Sequence, residues 1–134
     1  MKNEEIFPES REMEILFYYS MADETAARLE RDMEKLASSV RIYVLRNWKA
    51  FVEELMNPRK NSAIAVIFIS NREELLDAVA IRDRIHEYRL ILILPDKEEE
   101  TISLGHSLRP NFITYKTGDL RELEIVLDKM LHTG

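Results

Sequence analysis

Two stretches, SAIAVIFIS (62–70) and LILILPD (90–96), restrict the possible folds of this chain more than any other feature. Each is apolar at successive positions rather than at alternate ones. Successive side chains of a strand point to opposite faces, so a strand with one wet face alternates apolar and polar residues. A strand without that alternation is covered on both sides, the situation found inside parallel sheets whose crossover helices lie on the two faces. Two such strands in one chain imply a three-layer arrangement.

The segments around them fit this arrangement. MEILFYYS (13–20), VRIYVLRN (40–47) and NFITY (111–115) are β-rich runs of strand length. Between the first two, Ala26, Leu29, Met33 and Leu36 fall at spacings of three and four, one face of a helix over 22–38. In WKAFVEELM (48–56), Trp48, Phe51, Val52, Leu55 and Met56 follow the same period, and Asn57 and Pro58 end the helix. Asn71, with Glu74 three residues later, has capping-box spacing and opens a helix running to about Tyr88. Asp119 and Glu122 repeat that spacing before a last helix carried by Leu120, Leu123, Val126, Leu127 and Met130. Residues 97–109 read two ways, since an acidic start favours a helix and Gly105 disfavours one. Strand followed by helix, repeated five times, predicts an α/β fold: a doubly wound, five-stranded parallel sheet between two helical layers, with right-handed crossovers. A polar arm (1–12) precedes this single domain (13–134).

Composition narrows the chemistry. A net charge of -6 without any run of basic residues argues against nucleic-acid backbone binding. With no cysteine there is no disulfide, thiolate metal site or thiol nucleophile. His86, His106 and His132 are scattered, without the spacing of a zinc site. Three glycines, with no G-x-G-x-x-G, phosphate-binding loop or G-x-S-x-G elbow, leave no backbone cradle for a nucleotide, so no cofactor is expected. No apolar run has signal-peptide or membrane-spanning character, and the expectation is a cytoplasmic protein without a membrane partner.

YKTGDLRELEIVLDKML (115–131), with a lysine closing the fifth strand before an acidic-hydrophobic helix start, resembles the response-regulator receiver domain. The element order and length over about residues 13–132 are similar as well. The resemblance implies a flavodoxin-like fold with strand order 2-1-3-4-5. It also implies a homodimer through the last strand and helix, here Tyr115, Leu123, Ile125, Val126 and Met130. The working parts of a receiver are another matter. FYYS puts Tyr19 and Ser20 where paired acids would hold magnesium, and VIFISN offers Ile69, Ser70 or Asn71 in place of the phosphoacceptor aspartate. ILPD puts Pro95 and Asp96 where a hydroxyl would stand, so of the functional set only Lys116 carries over. Without carboxylates there is no oxygen cage for the metal, and without the metal the phosphoryl charge goes unstabilised. The opening FYYSMADETAARLERDMEKL (17–36) is also similar to the first strand, loop and helix of Toll/interleukin-receptor domains.

Ligands of open α/β sheets bind outside the carboxyl ends of the strands. That edge is expected to gather Ser20, Ser70, Asn71, Asp96, Lys116 and Thr117. Each also has an ordinary structural use: the serine, asparagine, aspartate and threonine as caps, Lys116 as a partner of Asp96. The sequence thus points to a pseudo-receiver, a phosphorylation-independent signalling module and not an enzyme, that acts by binding a protein. The alternative is a small-ligand or nucleotide-binding domain with Asp96 and Lys116 as its polar anchors.

Overall fold

The computed structural model describes residues 13–35, 40–59 and 63–133. The expected arm (1–12), Leu36 with the end of the first helix, and Ser62 lie outside the described residues. Five strands, β1 (Met13–Tyr18), β2 (Val40–Leu45), β3 (Ala63–Phe68), β4 (Arg89–Leu94) and β5 (Phe112–Tyr115), form one sheet in the order β2-β1-β3-β4-β5. Every pairing is parallel. The helices are α1 (Glu24–Lys35), α2 (Trp48–Met56), α3 (Arg72–Ala80), α4 (Arg82–Ile85), α5 (Glu99–His106) and α6 (Leu120–Thr133). The expected parallel α/β architecture and strand order are therefore present.

The continuous apolar strands work by feeding two cores at once. Ile15 and Phe17 of β1, Ile64, Val66 and Phe68 of β3, and Ile91 and Ile93 of β4 point to one side, where Leu29 and Met33 of α1 meet Leu123 and Leu127 of α6. Leu16, Tyr18, Ala65, Ile67, Leu90, Leu92 and Leu94 point to the other, against Phe51 and Leu55 of α2, Leu75 and Ala78 of α3, and Ile85 of α4. Parity along each strand assigns the core, as the pleat requires.

Two features differ from the sequence-based expectation. The helix predicted from Arg72 to about Tyr88 is two helices, broken at Ile81 (φ -116°, ψ 27°), whose N–H bonds only three residues back to the Ala78 carbonyl. Neither glycine nor proline marks the break, and the apolar period continues across it through Leu75, Ala78 and Ile85, so the pattern gives no sign of it. The ambiguous 97–109 segment contains α5, and the turn that follows it includes a left-handed residue, Arg109 (φ 55°), before Pro110. Asn111 then fastens the chain to β4: its side chain accepts from the Leu90 N–H at 2.9 Å and its own N–H donates to the Leu90 carbonyl at 2.8 Å. No helix among the described residues is long and apolar enough to cross a membrane.

Candidate functional site

With strand order β2-β1-β3-β4-β5, the chain winds in opposite directions from β1 and from β3, and the crevice above their carboxyl ends is where such sheets place ligands. A single carboxylate organises that point. Glu74, in the first turn of α3, accepts from the Tyr18 hydroxyl and the Ser20 hydroxyl, both at 2.6 Å on Oε2. Its Oε1 accepts from the Ser70 backbone N–H at 2.8 Å. The Glu74 N–H in turn donates to Asn71 Oδ1 at 2.9 Å, so the spacing read as a capping box is indeed a cap. The return bond goes to Ser70 rather than to the cap residue itself. Tyr18 is almost fully buried, packed edge-on against Trp48 and tilted against Phe51. Burial and the hydrogen bond to Glu74 push its phenol well above the usual tyrosine range, so it stays a protonated donor.

The other expected residues form a second group over β4 and β5. Asp96 Oδ1 accepts from the Glu98 N–H at 2.9 Å. That bond, with a further one from the Thr101 side chain, holds the Asp96 carboxyl below its ordinary range, and the charges of Arg72 and Lys116 add to the effect. Arg72 spans α3 and α5, donating to Glu100 at 2.6 Å, Glu98 at 2.7 Å and the Thr101 hydroxyl at 3.1 Å. Lys116 acts on Asp96 through space and makes no ion pair with a described residue, while its backbone N–H continues the sheet to Leu94. Thr117 is exposed in the turn closed by the Gly118 N–H to the Tyr115 carbonyl at 2.8 Å. Asp119 caps α6 through the Arg121 N–H at 2.9 Å.

The edge thus divides into a Ser20–Ser70–Asn71 group around Glu74 and an Asp96–Lys116 group tied to α5. The sequence marks Glu74 only as a capping-box residue and does not place Glu74, Tyr18 or Arg72 at the site. For Glu74 the signal was present, since hydroxyls end β1 and a capping-box glutamate opens α3. Tyr19 leaves toward the other face, where its hydroxyl donates to Glu30 at 2.6 Å and the Arg46 guanidinium lies 4.2 Å from its ring centre. Of the residues named for a pairing surface, Leu123 and Met130 are buried in the chain's own core. They face the sheet because α6 must cover β1 and β3, and so they are not surface residues. Tyr115 and Val126 are half-buried, and Ile125 is exposed.

Chemically, the Glu74 group is a hydrogen-bond centre in which one carboxylate takes three donors, with the charge of Asp77 also acting on Tyr18. No group of three or more histidine, aspartate or glutamate side chains among the described residues could hold a metal ion. Cavities among the described residues lie elsewhere. One of about 440 Å³ at the amino end is lined by residues including Leu55, Arg59 and Tyr88, and one of about 390 Å³ lies between α2 and α4.

Replacing Glu74 with alanine leaves the buried Tyr18 hydroxyl without its acceptor, which should cost about 1–3 kcal/mol. Glu74→Gln should lose less, because the amide oxygen still accepts. Urea denaturation of both variants, alone and with Tyr18→Phe, tests this. The alanine penalty should shrink when the tyrosine hydroxyl is already gone, and an unchanged penalty would remove Tyr18 from the account. No protein-family model, no curated protein and no solved structure matches this chain.

Proposed function

We propose that this chain is a receiver-like regulatory module that works without phosphorylation, by binding another protein. The observation that carries the reading is Glu74. Its carboxylate already satisfies the Tyr18, Ser20 and Ser70 donors at the crevice where a ligand or phosphoryl group would have to sit. An entering anion would meet a negative charge and no free donor of this set. Phosphoryl chemistry gains most from preorganised charge, and a carboxylate supplies none of the required sign. The partner surface in this reading includes α6, where Ile125 is 58% exposed, and a second copy of the chain is one such partner.

The test is a thermal-shift titration with magnesium and beryllofluoride, a phosphoryl mimic. The expected result is an unchanged melting temperature. A ligand present at a hundred times its Kd stabilises by about 2.7 kcal/mol, so binding would show as a rise of several degrees. Such a rise would overturn the reading in favour of a ligand-binding edge.

A further inference from the structure

We infer that the outer edge of β2 is the seat of a homodimer, in which two copies of β2 pair antiparallel about a two-fold axis at Ile42 and join their sheets into one. β2 ends the strand order and, among the described residues, pairs only with β1. Successive residues of a strand turn their N–H and carbonyl groups to opposite sides. The Leu45 carbonyl accepts from the Tyr19 N–H at 3.3 Å, so Arg41, Tyr43 and Leu45 serve the β1 side. Val40, Ile42 and Val44 therefore present their backbone donors and acceptors at the outer edge.

Proteins guard such edges with short strands, lysine, proline or a bulge. β2 has none of these. It is six residues long, matches β1 residue for residue from Met13–Val40 to Tyr18–Leu45, and carries one charge, Arg41. Every β1 side chain is buried, whereas Ile42 and Val44 on one face and Tyr43 and Leu45 on the other stay half-buried. What covers this edge must supply hydrogen bonds along its length and apolar side chains on both faces. A second β2 supplies both.

The pleat also selects the register. Opposed residues share a face, so the axis can pass at a residue but not between two. Centred on Ile42, it pairs Ile42 with its own copy and Val40 with Val44, the residues whose backbone groups face outward. Each such pair exchanges two hydrogen bonds in an antiparallel ladder, and all the side chains involved are β-branched. On the other face Arg41 falls opposite Tyr43 of the second copy, an aromatic ring rather than a like charge. Centring on Arg41 would instead set two guanidiniums against each other. Docking β2 on the β5 edge of another copy is head-to-tail, giving a ring or an open filament, and β5 offers only four residues. The dimer goes beyond the binding function proposed above and uses no residue of α6.

The experiment combines sedimentation of the whole chain at about 100 μM, which fills a dimer with a Kd of about 1 μM, with single-cysteine variants. The chain has no cysteine, so every covalent dimer reports the introduced thiol. In Ile42→Cys the two thiols stand on opposed residues with Cα atoms about 5.5 Å apart, and dibromobimane, a short thiol-bridging reagent, should join the copies. Val44→Cys places its thiols on the same face but offset by roughly 13 Å along the strand, and it should stay single on a denaturing gel. Wild type should sediment as a dimer. Ile42→Pro removes an edge-facing N–H and none of the β1 ladder, so it should sediment as a monomer with an unchanged circular dichroism spectrum. If proline disrupts folding, the contrast between the two cysteine variants decides. A wild-type monomer, equal bridging of both cysteine variants, or a dimer that survives Ile42→Pro would overturn this interface.

Discussion

Arg59→Met is expected to destabilise the protein by about 3–5 kcal/mol, the usual loss when one member of a buried ion pair is removed. Arg59 ties three elements at the amino end of the sheet. Its Nη1 donates to Glu14 of β1 at 2.5 Å, and its Nη2 donates to the Glu54 carboxylate of α2 at 2.5 Å and to the Glu54 carbonyl at 3.0 Å. The guanidinium also lies 5.4 Å from the Tyr43 ring centre of β2. Burial alone would lower the Arg59 pKa, but hydrogen bonds with Tyr88, Glu54 and Glu14 more than offset it, so the group stays charged. Glu14 is 7% exposed, and Arg41, at 4.0 Å, is too far to take over its hydrogen bond. The decisive measurement is the double variant Glu14→Gln/Arg59→Met in chemical denaturation. Removing both charges should recover part of the loss, because the penalty comes from stranding Glu14 rather than from the absent pair. A double variant as unstable as the sum of the singles would assign the role of Arg59 to its packing.

Gly105→Leu is the second large effect, expected to cost about 3 kcal/mol through overpacking. A Cβ at Gly105 would lie 3.1 Å from Leu94 Cδ1 and 3.3 Å from Leu92 Cδ2, so α5 sits on β4 at nearly its closest approach. Both neighbours are the free ends of leucine side chains. Alanine should therefore be nearly neutral, its tight contact offset by up to about 1 kcal/mol of helix propensity. Melting temperatures of Gly105→Ala and Gly105→Leu should separate widely, and similar values would show that α5 can lift off the sheet at little cost.

Gly105 also shows where the sequence is hard to read. By local preference it argues against a helix in 97–109, yet it sits where a neighbouring strand leaves no room for a large side chain. The strands and α2 were legible because their determinants are local: runs of apolar residues, a 3.6-residue period, and Asn47 capping α2 with an acceptor for the Ala50 N–H at 2.8 Å. Arg59 was not legible, since its partner Glu14 is 45 residues away and either charge alone looks like a surface residue. The edge residues lie between these cases. Ser20, Ser70 and Asn71 were expected together because topology alone places strand ends together. That they converge on Glu74 depends on the length of a side chain reaching back over Tyr18, and no periodicity encodes that. Leu123 and Met130 show the reverse error, because an amphipathic helix with a broad stripe does not announce which part of the stripe its own sheet covers.

The two-sided burial of β1 has one further consequence. A strand with one wet face is held in register by polarity, because sliding it one residue would put apolar groups into water. β1 has no such safeguard: a one-residue slide would merely exchange Leu16 and Tyr18 with Ile15 and Phe17 between two cores that are both dry. What such a slide would break lies at the two ends of the strand. Glu14 would turn away from Arg59 at one end, and Tyr18 would lose Glu74 at the other. The two polar contacts act as alignment pins, and the apolar strand between them is free to be interchangeable.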